Sequence, residues 1–153
     1  MSESDKEGFM SAEDYGRSLR GFGVNLLVQD VARSVAFQRD VLGVQVVYQN
    51  RDFAVMSHGT HQWMLHGDHT YGAHPLLALT GDGVIRGAGA ELRLYDADPD
   101  AAEARARAAG VTVLAASADK PHGLRECFLV DHDGYVWVPG RAKTGAGSTA
   151  PKS

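Results

Sequence analysis

Five of the seven histidines in this 153-residue chain, His58, His61, His66, His69 and His74, fall within seventeen positions. Histidine is the commonest metal ligand and titrates near neutral pH, so this density raises the chemistry of metal binding or proton transfer. The spacing argues for a plainer reading. His58 and His132 sit in segments with turn chemistry, and His69 and His74 lie in a Gly-rich stretch. His66-x-x-His69 straddles a strand end, where two rings have no reason to converge. Most of these side chains read as solvated or bonded to backbone.

Two other groups carry chemical potential. Lys120-Pro121-His122-Gly123-Leu124-Arg125-Glu126 puts a histidine, an arginine and a carboxylate just before a strand. His122 is a candidate acid or base there; equally, Arg125 and Glu126 suit the salt bridges that protect a sheet edge. Glu91 and Arg93 interrupt an otherwise apolar strand, either as a charged pair on a pocket floor or as a rim pair one strand period apart. Nucleophilic catalysis finds no support. Ser57 and Ser117 lie in no elbow motif, and Cys127 sits inside an apolar run, where a buried thiol is inert. Gly81-Asp82-Gly83 lacks phosphate-binding spacing and a following helix.

The elements that position these groups come twice. Strands are expected at about 22–29, 44–49, 53–57 and 61–66, with a helix over 31–42 capped by Asp30 and ended at Gly43. The order recurs as strands at about 90–96, 111–115, 125–130 and 135–138. Here Asp98 caps a helix that Pro99 begins and Gly110 ends. Each half holds one tryptophan, Trp63 and Trp137. A unit occurring twice is too few for a solenoid, which takes at least about three. The reading is one α+β domain over 20–140: module one at 20–66, a connector at 67–88 and module two at 89–140. A mobile arm is expected over 1–19 and a disordered tail over 141–153.

Hydrophobic residues make up 44% of the chain, enough for a substantial core. A net charge of -4 without a basic stripe speaks against nucleic acid and anionic membrane partners. No apolar run reaches the roughly 18 residues of a membrane span. With a single cysteine and no leader-like start, a cytoplasmic location is expected.

Two stretches resemble a known family. Val28-Gln29-Asp30-Val31-Ala32-Arg33-Ser34-Val35-Ala36-Phe37-Gln38-Arg39-Asp40-Val41-Leu42-Gly43 and Asp131-His132-Asp133-Gly134-Tyr135 are similar to motifs of the vicinal oxygen chelate superfamily. It contains glyoxalase I, extradiol dioxygenases, fosfomycin-resistance transferases and bleomycin-resistance proteins. Gln38 departs from the tyrosine usual after the helix phenylalanine. The resemblance implies two tandem βαβββ modules whose curved mixed sheets form a cup, the glyoxalase/bleomycin resistance fold. In metal-dependent members each module gives one ligand from its first strand and one from its last. The matching positions here are Gly23, Met64, Glu91 and Val138, with His66 next in line if the register of strand 61–66 slips.

Glycine and valine offer no ligating side chain, and methionine suits hard divalent ions poorly. The resemblance therefore implies a protein that uses no cofactor, with a divalent metal held by His66 and Glu91 as the alternative. Strand alternation puts Asn25 on the face of Gly23, Arg93 on that of Glu91 and His66 on that of Met64, while Trp63, Tyr135 and Trp137 point into the helix-packing layer. The candidate ligand-binding set is Asn25, Met64, His66, Glu91, Arg93, His122, Arg125 and Val138. The expected function is metal-independent binding of a small aromatic or amphipathic molecule, similar to the bleomycin-resistance branch, by a homodimer. The alternatives are a metal-dependent lyase, isomerase or dioxygenase with displaced ligands, and a metal-free acid–base enzyme using His122.

Overall fold

The computed structural model describes residues 9–143. In chain order it has α1 (Ala12–Ser18), β1 (Asn25–Val28), α2 (Val31–Asp40), β2 (Gln45–Gln49), β3 (Phe53–His58) and β4 (His61–Gly67). Two 3-10 turns follow, Asp68–Thr70 and Pro75–Leu79, then β5 (Leu92–Leu94), α3 (Pro99–Ala108), β6 (Thr112–Asp119), β7 (Leu124–Val130) and β8 (Val136–Ala142). The aspartates before the two long helices cap them as read: Asp30 accepts from the Arg33 amide and Asp98 from the Ala101 amide, both at 3.2 Å.

The repeat is preserved in the pairing. The strand orders are β1-β4-β3-β2 and β5-β8-β7-β6, each with one parallel pair and two antiparallel pairs. This is the expected pair of βαβββ modules. β5 is shorter than expected because Asp96 turns the chain at φ 56°, a left-handed conformation that ends the strand. β8 is longer, reaching Ala142, so Arg141 and Ala142 are strand rather than the start of a tail. The remainder of the expected tail, from 144, lies outside the described residues, as do residues 1–8.

The arm expected over 1–19 contains a helix. Ser11 accepts from the Asp14 amide at 3.1 Å, Glu13 and Arg17 pair one turn apart, and Tyr15 is buried. A single buried anchor in seven residues leaves no period to read, which is why sequence pattern misses it.

One hydrophobic core runs through both modules, joining Val31, Val35 and Phe37 of α2 to Ala102 and Ala106 of α3 and to the strands beneath. Trp63 and Trp137 meet there with ring centroids 5.7 Å apart, confirming the core role expected of both. Each indole N–H has a partner: Trp63 donates to Gln38 Oε1 at 2.9 Å and Trp137 to Asp131 Oδ2 at 3.0 Å. Gln38, the family departure, is fully buried and serves that bond.

The last turn ties the modules together. Asp131 accepts from the amides of Asp133 and Tyr135 at 3.0 and 2.9 Å, shaping the turn. Asp133, 2% exposed, reaches into module one and accepts from the Gln29 amide at 3.0 Å and Ser34 Oγ at 3.3 Å. Arg86 lies 3.9 Å from it, pairs with Asp68 at 2.7 Å and donates to the Leu27 carbonyl, as does the Tyr135 hydroxyl. Asp133→Ala would strand these donors in the interior. We expect it to cost about 2–4 kcal/mol, read as a lower urea midpoint; an unchanged midpoint would show that the turn is dispensable.

Candidate functional site

Strand alternation gives module one two faces. Leu26, Trp63 and Leu65 join the core, while Asn25, Met64 and His66 face the other way. On that second face a cavity of about 520 Å³ opens between the sheet and α1. Its floor is Phe53, Met64 and His66; its roof is Phe9, Met10, Ala12, Tyr15, Gly16 and Leu19; Asp52, His69 and Thr70 form a rim. The volume lies within the range of about 300–1,000 Å³ usual for small-molecule sites, and the lining is mostly apolar with few polar groups, as such sites are. Aromatic contacts hold the roof in place. Phe9 stacks on Tyr48 with centroids 4.5 Å apart, and Tyr15 meets Phe53 edge-on at 6.1 Å.

His66 is the one polar group on the cavity floor, and its tautomer follows from its partner. Asn25 Oδ1 can only accept, so His66 Nδ1 carries the proton and donates to it at 2.6 Å. The Asn25 amide in turn donates to the Tyr71 hydroxyl. Burial pushes the His66 pKa below its ordinary value of 6.5, so the ring is neutral at pH 7 and Nε2 is an acceptor. At the rim, His69 donates to Asp52 at 2.7 Å and holds that carboxyl below its usual range.

Module two holds a separate polar group. Arg93 bonds Glu91 at 3.1 Å and also pairs closely with Glu126. Glu126 is 3% exposed, and His122 Nε2 lies 3.4 Å from it. Glu91 and Arg93 line a groove of about 790 Å³ at the seam, with Phe22, Val24, His58–Trp63 and Tyr95.

The candidate residues thus fall into two sets. Asn25, Met64 and His66 gather at the module-one cavity; Glu91, Arg93 and His122 gather around Glu126. The structure does not bring the two sets into one cavity. Arg125 belongs to neither: it is held by Asp100 at 2.7 Å and Asp119 at 3.2 Å, because successive strand residues point to opposite faces. Val138 is 1% exposed and lines none of these spaces, since its place in β8 beside Arg93 closes it off. His58 donates to the Tyr95 carbonyl, and His74 accepts from the Leu76 amide at 3.0 Å. Cys127 is fully buried, and burial pushes its thiol up to about 11, leaving it unreactive at neutral pH.

The four positions implied for a metal do not fit one. Gly23 has no side chain, Val138 is apolar and enclosed, Met64 is a thioether, and the Glu91 carboxylate is paired with Arg93. His66 and Glu91 line different spaces. Among the described residues no group of three or more His, Cys, Asp or Glu gathers in a form able to hold an ion.

Sequence reasoning missed the roof residues Phe9, Tyr15 and Gly16, and also Tyr71; it singled out Glu126 beside His122 but not its pairing with Arg93. The edge-strand reading of Glu126 fails because β7 lies inside its sheet, between β8 and β6. A lone carboxylate in the run Glu126-Cys127-Phe128-Leu129-Val130 was the available signal.

The glyoxalase/bleomycin resistance protein/dioxygenase superfamily model matches residues 23–138. A glyoxalase/bleomycin resistance protein/dioxygenase family enzyme from Burkholderia phytofirmans PsJN is similar with a TM-score of 0.64 at 19% identity, over 78% of this chain and 96% of that one. A glyoxalase/bleomycin resistance protein/dioxygenase from Nocardioides gives 0.60 at 20%, over 92% and 97%. The fosfomycin resistance protein FosX from Listeria monocytogenes gives 0.58 at 14%, over 82% and 95%. At these identities the likeness is one of fold. No match is found among curated proteins.

The His66 shift has a pH consequence. Its folded pKa lies below the unfolded value of about 6.5, so below that pH the unfolded chain binds more protons. Stability is full above about pH 6.5 and is lost as pH falls through the folded pKa. In His66→Gln the drop in urea midpoint from pH 8 to pH 5 should shrink; an identical drop would remove His66 as its source.

Proposed function

We propose that this chain, which belongs to the glyoxalase/bleomycin resistance protein/dioxygenase superfamily, binds an uncharged or amphipathic aromatic molecule without a metal and works by sequestering it. The observation that carries this reading is the module-one cavity: aromatic side chains above and below, with one neutral acceptor, His66 Nε2, on its floor. A ring with a single N–H or O–H donor matches that surface. A charged group would find no counter-ion on the floor and would have to shed its water. The misfit of Gly23, Met64, Glu91 and Val138 to a divalent ion supports a metal-free mode. The presence of a fosfomycin resistance protein among the fold relatives is in keeping with a protective role.

The protein pairs as a homodimer in this reading. Phe22, 91% exposed, and Tyr95 are exposed large apolar side chains that line the same seam groove, and a second copy packed there would cover them. No helix among the described residues is long and apolar enough to cross a membrane.

The decisive experiment combines metal analysis with a thermal-shift screen of aromatic antibiotics and metabolites. A stoichiometric metal retained after dialysis would overturn the metal-free reading. A true ligand at a hundred times its Kd should stabilise the fold by about 2.7 kcal/mol, and Met64→Trp should abolish that gain by filling the floor.

A second reading rests on one contact. His122 lies 3.4 Å from the buried Glu126 carboxylate, a dyad suited to proton transfer. Arg125, close by in sequence, is held instead by Asp100 and Asp119. Loss of turnover in His122→Ala with ligand binding intact would favour this reading over sequestration.

A further inference from the structure

The roof of the cavity lies outside the family domain. The family match begins at residue 23, while Phe9, Met10, Ala12, Tyr15, Gly16 and Leu19 precede it. The fold supplies the floor, and this chain's own leading segment turns that floor into a cavity.

Gly16 is the residue on that segment without a structural explanation. Glycine in a helix interior is disfavoured against almost any other residue. It is normally kept for a positive φ or for a close approach of another backbone. Gly16 has neither. It is not among the glycines with positive φ, and a Cβ built on it would meet no atom within 4 Å. Ala12 stands one turn earlier and lines the same space. Ahead of Gly16 the segment is anchored by full-sized rings, Phe9 on Tyr48 and Tyr15 on Phe53. What the absent side chain leaves is volume on the helix side of a cavity whose lining also includes Phe53, Met64 and His66.

We infer that α1 is the size gauge of the binding site and that Gly16 keeps open the slot for a second ring, which makes the preferred ligand an uncharged molecule of at least two aromatic rings. This rests on the reading of the cavity as the ligand site. Local propensity is given up where function requires it, and a helix glycine on the lining of a cavity is such a place.

The test uses the full chain and the uncharged dye N-phenyl-1-naphthylamine, whose fluorescence rises in apolar surroundings. Wild type, Gly16→Leu, Met64→Trp and the outward control Arg17→Leu are titrated side by side. Leucine is a better helix former than glycine, so helicity and Tm of Gly16→Leu should hold or rise. Its affinity for the dye should nonetheless fall about tenfold or more, with Arg17→Leu binding as wild type. If Gly16→Leu binds as wild type while Met64→Trp does not, the gauge is overturned and the cavity reading stands. If wild type takes up no dye, or if neither substitution alters its uptake, both are overturned.

Discussion

Two carboxylates in the last turn set the terms for the rest of the molecule. Asp131 and Asp133 are both buried, and neither can remain there without donors. Asp131 takes two backbone amides and the Trp137 indole; Asp133 takes a backbone amide and a hydroxyl from the other module. Burial raises the Asp131 pKa, and its hydrogen bonds act against that. A structure in which the modules drift apart takes the Gln29 amide and the Ser34 hydroxyl away from Asp133. The seam is therefore specified by polar geometry as well as by apolar area, and the strands that carry the cavity floor are placed relative to it.

Most of this architecture was legible because it was written in local signals. The Asp30 and Asp98 caps, the Gly43 and Gly110 stops and the alternation along 61–66 act within a few residues, and each fell where the periods put it. The parts that were not legible depend on contacts between distant segments. Asp133 reads as an ordinary turn residue, because nothing near it reveals a bond to Ser34 some hundred positions away. Glu126 reads as an edge residue until the strand order places β7 inside its sheet. Tyr15 is one aromatic in a polar helix, and the rings that meet it, Phe9 and Phe53, lie outside that helix.

The candidate site shows the same division. Strand alternation correctly put Asn25, Met64 and His66 on one face, and it placed Arg93 beside Glu91. It was silent on whether the faces of the two modules share a space. The shared core lies on the helix-bearing sides of both sheets, so within one chain the polar group of module two and the cavity of module one are separate. A repeat conveys the scaffold of each unit; it does not convey how two units are turned towards one another.

The tryptophan pair has a consequence of its own. The chain has two tryptophans, and both lie at the seam with their rings in contact. Its intrinsic emission is therefore a gauge of module separation. A change in indole environment reports on the seam and the groove beside it, while the rings rest on the core side of the sheet whose opposite face bears Met64 and His66. The molecule carries an optical reporter of its own seam, set on the opposite face of β4 from the cavity floor.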